Sequence, residues 1–140
     1  MNAHLTELQN RTMGIPHSET TLFDHLYSVY KLLVNENKPE YVCLAGLYHS
    51  AYETEYFKFS KPYTRDELTN CIGEKAERLV YEFCNTTPRV TCLVDRTGNW
   101  SDQMYADLLD IELANMADMR YYNTPIQMME AIRKHLQIKD

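Results

Sequence analysis

The residues best suited to chemistry in this sequence are polar side chains standing where an apolar stripe is expected. His25 follows Leu22 by three positions and precedes Val29 by four, so on a helix it faces inward beside the core stripe. His49 lies four residues after Ala45 and three after Gly46, small residues that let a neighbouring backbone approach the imidazole. Glu112 shares a row with Tyr105, Leu108, Leu109 and Met116, and Asn115 lies one turn further along the same inward side. A carboxylate in such a row is costly unless it is paired or metal-bound. Two histidines, a carboxylate and an amide on inward faces of three helices are enough to build a site. His17, just ahead of the first long helix, can reach the same end. The plainer reading is that each inward histidine is hydrogen-bonded to a core partner. His4 and His135 lie near the termini and read as solvent-facing, while Asp24, Asp107, Asp110 and Asp118 read as solvated faces or helix-dipole partners.

The elements that must position these residues follow a helical period. Leu22, Leu26, Val29, Tyr30 and Leu33 form one stripe, preceded by Ser18, Thr20 and Thr21 as candidate caps. A second helix starts near Pro39, and proline suits a first helical turn. Tyr52 to Tyr63 carries no stripe and reads as a loop. Thr64 and Glu67 make a capping box for a short helix that stops near Gly73, and Ile72, Ala76, Leu79, Val80 and Phe83 give the next stripe. "NTTPRVTCLVDRTGNW" reads as a long irregular connection with a brief extended piece over Val90–Val94. Ser101 caps a long helix carried by Met104, Leu108, Ile111, Asn115 and Met119. Thr124-Pro125 opens the last, carried by Ile126, Met129, Ile132 and Leu136. These six helices, without repeat or linker, predict a single all-α domain over residues 1–140.

Composition narrows the function classes. The 140 residues carry a formal charge of −6 and no Lys/Arg cluster, which argues against nucleic acid as the main partner. Cys43, Cys71, Cys84 and Cys92 show neither CxxC pairing nor regular spacing and read as reduced thiols. The first residues lack the pattern of a signal peptide, and no apolar run approaches the roughly 18–20 residues that span a bilayer. A cytoplasmic protein without a membrane partner is the expectation. Tyrosine is abundant, 11 against 4 phenylalanines, and suits either a polar-tipped core or a cavity lined by hydroxyls. The phosphate-binding loop, GxGxxG, GxSxG and HExxH motifs are all absent.

His25 on one helix, His49 at the end of the next and a polar inward position on a later helix together resemble the HD-domain superfamily. That superfamily comprises all-α metal-dependent phosphohydrolases and relatives that use two irons for oxygenase chemistry. Within it the chain is similar to a bacterial group of small HD-like proteins, through "HSETTLFDHLYSVYKLL", "VCLAGLYHSAYETEYF", "TRDELTNCIGEKAERLVYEF" and "DLLDIELANMAD". The resemblance implies an HD-like bundle in which His25 matches the first histidine of the pattern and His49 the histidine of the His-Asp pair. Ser50 stands in the aspartate's place, Asn115 takes the last acidic position, and Glu112 is the nearest carboxylate. A serine cannot supply the charge of the paired aspartate, so the standard two-metal phosphohydrolase mechanism loses its support.

What the resemblance leaves is a mononuclear site in which His17, His25, His49 and Glu112 hold Fe, Mn, Zn or Co. An open coordination position there would bring a bound water's pKa to about 7. Glu55 is then the candidate general base and Tyr52 a further catalytic group. Ser50, Thr54, Asn115 and Arg96 are candidate substrate contacts, although Arg96 also reads as a surface arginine paired with Asp95 or Asp102. Three functions follow: a metal-dependent enzyme of hydrolase or oxygenase type acting on a small, perhaps phosphorylated molecule; a metal-free binder or enzyme using the His/Glu pocket; or a degenerate HD domain kept as an interaction module. Homo-oligomerisation is compatible with each.

Overall fold

Thr21, Thr64, Ser101 and Asn123 each turn a side-chain oxygen onto the first turn of a helix, and these caps set the starts of four helices. The computed structural model describes residues 2–17, 20–52, 62–136 and 138, apart from the side chains of Asn2 and His17. In chain order it contains helix α1 (Asn2–Arg11), strands β1 (Pro16–His17) and β2 (Thr20–Thr21), and helices α2 (Leu22–Asn35), α3 (Glu40–Leu47) and α4 (Arg65–Ile72). Helices α5 (Glu74–Asn85), α6 (Arg89–Asp95), α7 (Asp102–Asp118) and α8 (Thr124–His135) follow. The two short strands pair antiparallel, Pro16 with Thr21 and His17 with Thr20. The fold is all-α, with eight helices among the described residues where the sequence pattern predicts six.

Two differences from the sequence pattern have clear causes. Helix α1 buries Leu8 completely but exposes most of its other residues, so it lacks a stripe wide enough to read. Val90–Val94 is helical, not extended. Pro88 stands at the N-cap of α6, and Arg89 and Leu93, four apart, face inward.

Helix α2 packs chiefly on α3, and both lie against α7. The α2 stripe of Leu22, Leu26, Val29 and Leu33 is fully buried, with His25 only 1% exposed beside it. Gly46 permits the close approach of α2 to α3: a Cβ there would sit 2.4 Å from Leu33 Cδ1 and 3.3 Å from Val29 Cγ1. Gly73, with φ at +88°, makes the turn from α4 to α5 that a side-chain-bearing residue would strain. Helix α7 runs through the middle of the bundle, in contact with α2, α3, α5, α6 and α8. Every residue from Tyr105 to Glu112 on it is buried. No helix among the described residues is long and apolar enough to cross a membrane.

Gly46→Val places two methyl groups into the α2–α3 contact. It is expected to cost about 3 kcal/mol of unfolding free energy in urea denaturation, because buried Leu33 and Val29 have little room to yield.

Candidate functional site

Glu112, Asn115 and Asp118 are spaced three apart on α7 and form one polar row, which meets His25 of α2 and Arg89 of α6. Arg89 donates from Nε to Glu112 Oε2 at 3.1 Å, and Asn115 Nδ2 donates to Glu112 Oε1 at 2.9 Å. The amide is thereby oriented with its oxygen toward the histidine, where Asn115 Oδ1 lies 2.7 Å from His25 Nε2. An acceptor at that position requires Nε2 to carry a proton. The other ring nitrogen, Nδ1, lies 2.6 Å from Asp118 Oδ2, so that contact holds a second proton between imidazole and carboxylate. The row thus reads as an alternating chain, with Arg89 and His25 as its donors and Glu112 and Asp118 as its acceptors. It is almost dry: Glu112 is 0%, His25 1%, and Arg89 and Asn115 3% exposed.

His49 lies in the turn that follows α3. Its Nδ1 donates to the Gly46 carbonyl at 2.7 Å, so that nitrogen carries a proton and the ring orientation is fixed. Its ring meets that of His25 edge-on, with centroids 5.2 Å apart, and that of Phe83 at 5.5 Å. The Arg89 guanidinium lies over the other aromatic partner, 4.3 Å from the Phe83 centroid. Cys84 donates its thiol to the His49 carbonyl at 3.1 Å, and burial pushes that thiol up to about 11. Ser50 is buried next to His49. The structure therefore brings together His25, His49, Glu112 and Asn115.

Several expected partners stand elsewhere. Thr54 and Glu55 lie outside the described residues, as does the side chain of His17. Tyr52, expected as a catalytic group, donates its hydroxyl to Glu77 Oε2 at 2.6 Å, and Arg65 grips the same carboxylate through Nε at 2.8 Å and Nη2 at 3.0 Å. Arg96, expected at a substrate, instead pairs with Asp102 at 2.8 Å and donates to the Trp100 carbonyl at 2.9 Å. It closes α6 in a left-handed conformation, φ 50°. Asp107, Asp110 and Asp118 are not solvated faces. Asp107 and Asp110 are each 5% exposed, and Asp118 binds His25. A helix surrounded on nearly all sides has no solvent face on which to place them.

Both ring nitrogens of His25 and both oxygens of Glu112 are turned to protein partners, and the charge beside Glu112 is already a guanidinium. Among the described residues no three His, Cys, Asp or Glu side chains come together in a way that could hold a metal ion. As arranged, His25, His49 and Glu112 do not fit a metal centre. The two residues that sequence reasoning missed are Arg89 and Asp118. The three-residue spacing of Glu112, Asn115 and Asp118 was a readable signal for the second; Arg89 sits in a stretch that reads as irregular.

A family model described as a domain of unknown function (DUF6817) matches residues 4–89, more than half of the chain. The chain belongs to that family. The match takes in His25, His49 and Arg89 and ends before α7, which supplies Glu112, Asn115 and Asp118. No curated protein and no solved structure matches the chain.

Arg89→Met leaves the Glu112 carboxylate buried beside an apolar side chain. It is expected to cost about 3–5 kcal/mol in urea unfolding, with most of the loss recovered in the Arg89→Met/Glu112→Leu double variant. The Tyr52 clamp predicts a pH effect. Burial raises the Glu77 carboxyl, but the Arg65 and Tyr52 hydrogen bonds and the Arg65 charge outweigh it and hold it below the ordinary range. A depressed folded-state value means that the stabilisation is present at neutral pH and disappears as the pH falls below the ordinary value of 4.5. Glu77→Gln should therefore lower stability at neutral pH and flatten its decline in acid, measured by urea unfolding across that range.

Proposed function

We propose that the chain is an HD-like helical protein whose polar centre works without a resident metal ion, as a cytoplasmic small-molecule site that uses His49 and His25 for proton exchange or hydrogen bonding. One observation carries this reading: the imidazole of His25 and the carboxylate of Glu112 have every ring nitrogen and carboxylate oxygen directed to Asp118, Asn115 or Arg89. The charge that Glu112 requires is supplied by the chain itself, through Arg89. Such a centre can orient a base. His49 has its ring orientation set by the Gly46 carbonyl, and the proton-bearing ring of His25 stands 5.2 Å away, centroid to centroid. Two oriented imidazoles side by side are suited to acid–base chemistry on a bound molecule.

A second reading is a metal-dependent enzyme of hydrolase or oxygenase type, with Fe, Mn, Zn or Co on His17, His25, His49 and Glu112 and a small, perhaps phosphorylated substrate. The observation favouring it is again His49, since an Nδ1–H bonded to a carbonyl is how proteins orient a metal-ligating imidazole. It would require His25 and Glu112 to exchange their present partners for the ion.

The test uses protein purified without an affinity tag or chelator. Elemental analysis should give far less than one metal per chain, and added Zn2+ should leave the His25 and His49 imidazole resonances in place. A content of about one transition metal per chain, lost in both His25→Ala and His49→Ala, would overturn the metal-free reading in favour of the second. A fragment panel screened by 1H–15N spectroscopy should contain compounds that shift the His49 ring; a panel that leaves it unmoved would sink the small-molecule role.

A further inference from the structure

Six of the cations among the described residues are tied to carboxylates. Arg11 pairs with Glu67, Arg65 with Glu77, Arg89 with Glu112 and Arg96 with Asp102, while Lys38 and Arg133 share Asp110. Lys75 and Arg78, like the exposed Lys31, Arg120 and Lys134, have no such pairing among the described residues. Lys75 and Arg78 sit three apart on α5 and both are exposed. Lys75 lies over the Tyr41 ring, 4.1 Å from its centroid. Both cations line one cleft of about 350 Å³ between α3, α5 and the start of α7.

The acids of the same cleft are committed to the protein. Asp107 is 5% exposed and accepts from the Tyr41 hydroxyl and from Gln103 Nε2 at 2.9 Å. Burial raises its carboxyl above the ordinary range, against the Tyr41 and Gln103 hydrogen bonds and the Lys75 charge. Glu82 accepts from Trp100 Nε1 at 3.3 Å. The apolar side of the cleft is formed by Leu79, Trp100 and Met104. The indole is held firmly. It stacks on Tyr105 with centroids 5.8 Å apart, and Gly98 lies so close that a Cβ there would fall 2.2 Å from the ring.

We propose that this cleft binds a small organic anion, a carboxylate or phosphate ester on an apolar body, with the anionic group between Lys75 and Arg78 and the body against Leu79, Met104 and Trp100. Exposed cations without a carboxylate in ion-pairing distance can make a charge-assisted contact to a ligand, and a pre-formed apolar wall beside them supplies the remaining affinity. The inference does not depend on the His25–His49 centre.

Trp100 is the chain's only tryptophan, so its fluorescence reports on the cleft directly. Phenyl phosphate and phenylacetate are the anionic probes, with phenylacetamide as the neutral one. Saturable quenching or enhancement by at least one anion is expected, weakened roughly tenfold in Lys75→Gln and in Arg78→Gln, as loss of one charge-assisted contact implies. It should persist in Arg120→Gln, which alters a cation outside this cleft. In the unaltered protein, added salt should weaken the same binding, an independent reading of the charge contact. Which anion binds more tightly distinguishes a carboxylate from a phosphate head group. Equal binding of phenylacetamide, an undiminished response in the Lys75→Gln/Arg78→Gln variant, or no saturable response to either anion would overturn the proposal.

Discussion

Helix α7 carries five acidic residues and no basic one, yet it runs through the centre of the bundle with most of its surface covered. An uncompensated buried carboxylate costs several kcal/mol, so each buried acid needs a partner, whereas the exposed Asp102 makes a surface pair. Arg96 meets Asp102, Tyr41 and Gln103 meet Asp107, Lys38 and Arg133 meet Asp110, Arg89 and Asn115 meet Glu112, and His25 meets Asp118. Those partners come from α2, α3, α6, α8 and the turn between α2 and α3, besides α7 itself. The acids therefore act as registration points: apolar packing holds the helices together, and each polar contact fixes one helix against the centre.

The same constraint gives the His25 centre its character. Because Arg89 and Asn115 both donate to Glu112, the amide of Asn115 has one orientation, and through it the proton on His25 Nε2 is assigned as well. Polar chains of this kind in a low-dielectric interior hold their geometry tightly, since breaking one link leaves a buried group unsatisfied. His49 belongs to the turn after the neighbouring helix and enters by a different route. Gly46 brings α3 close to α2 and offers its carbonyl to the ring, so one glycine sets both the approach and the ring orientation. The family match spans His25, His49 and Arg89, while their partners on α7 lie beyond it. The centre is complete only when both parts of the chain are present.

Much was legible in the sequence by itself. The 3.6-residue stripes, the Thr64–Glu67 capping box, the Ser101 cap and the Thr124-Pro125 start determined an all-α domain, because hydrophobic period and end-capping are local properties. The inward placement of His25, Glu112 and Asn115 followed from the same periodicity, whereas the buried His49 lies in the turn beyond α3. What only the tertiary structure decided was pairing. Position on a helix says that Glu112 faces inward, but not whether a metal, a histidine or an arginine awaits it there. Arg89 arrives from a seven-residue helix whose sequence has no legible stripe. Asp118, at the end of α7, looks like a solvated carboxylate until α2 is laid against it. Burial of a whole helix is a property of its neighbours, and so is the identity of the charge that each of its acids meets.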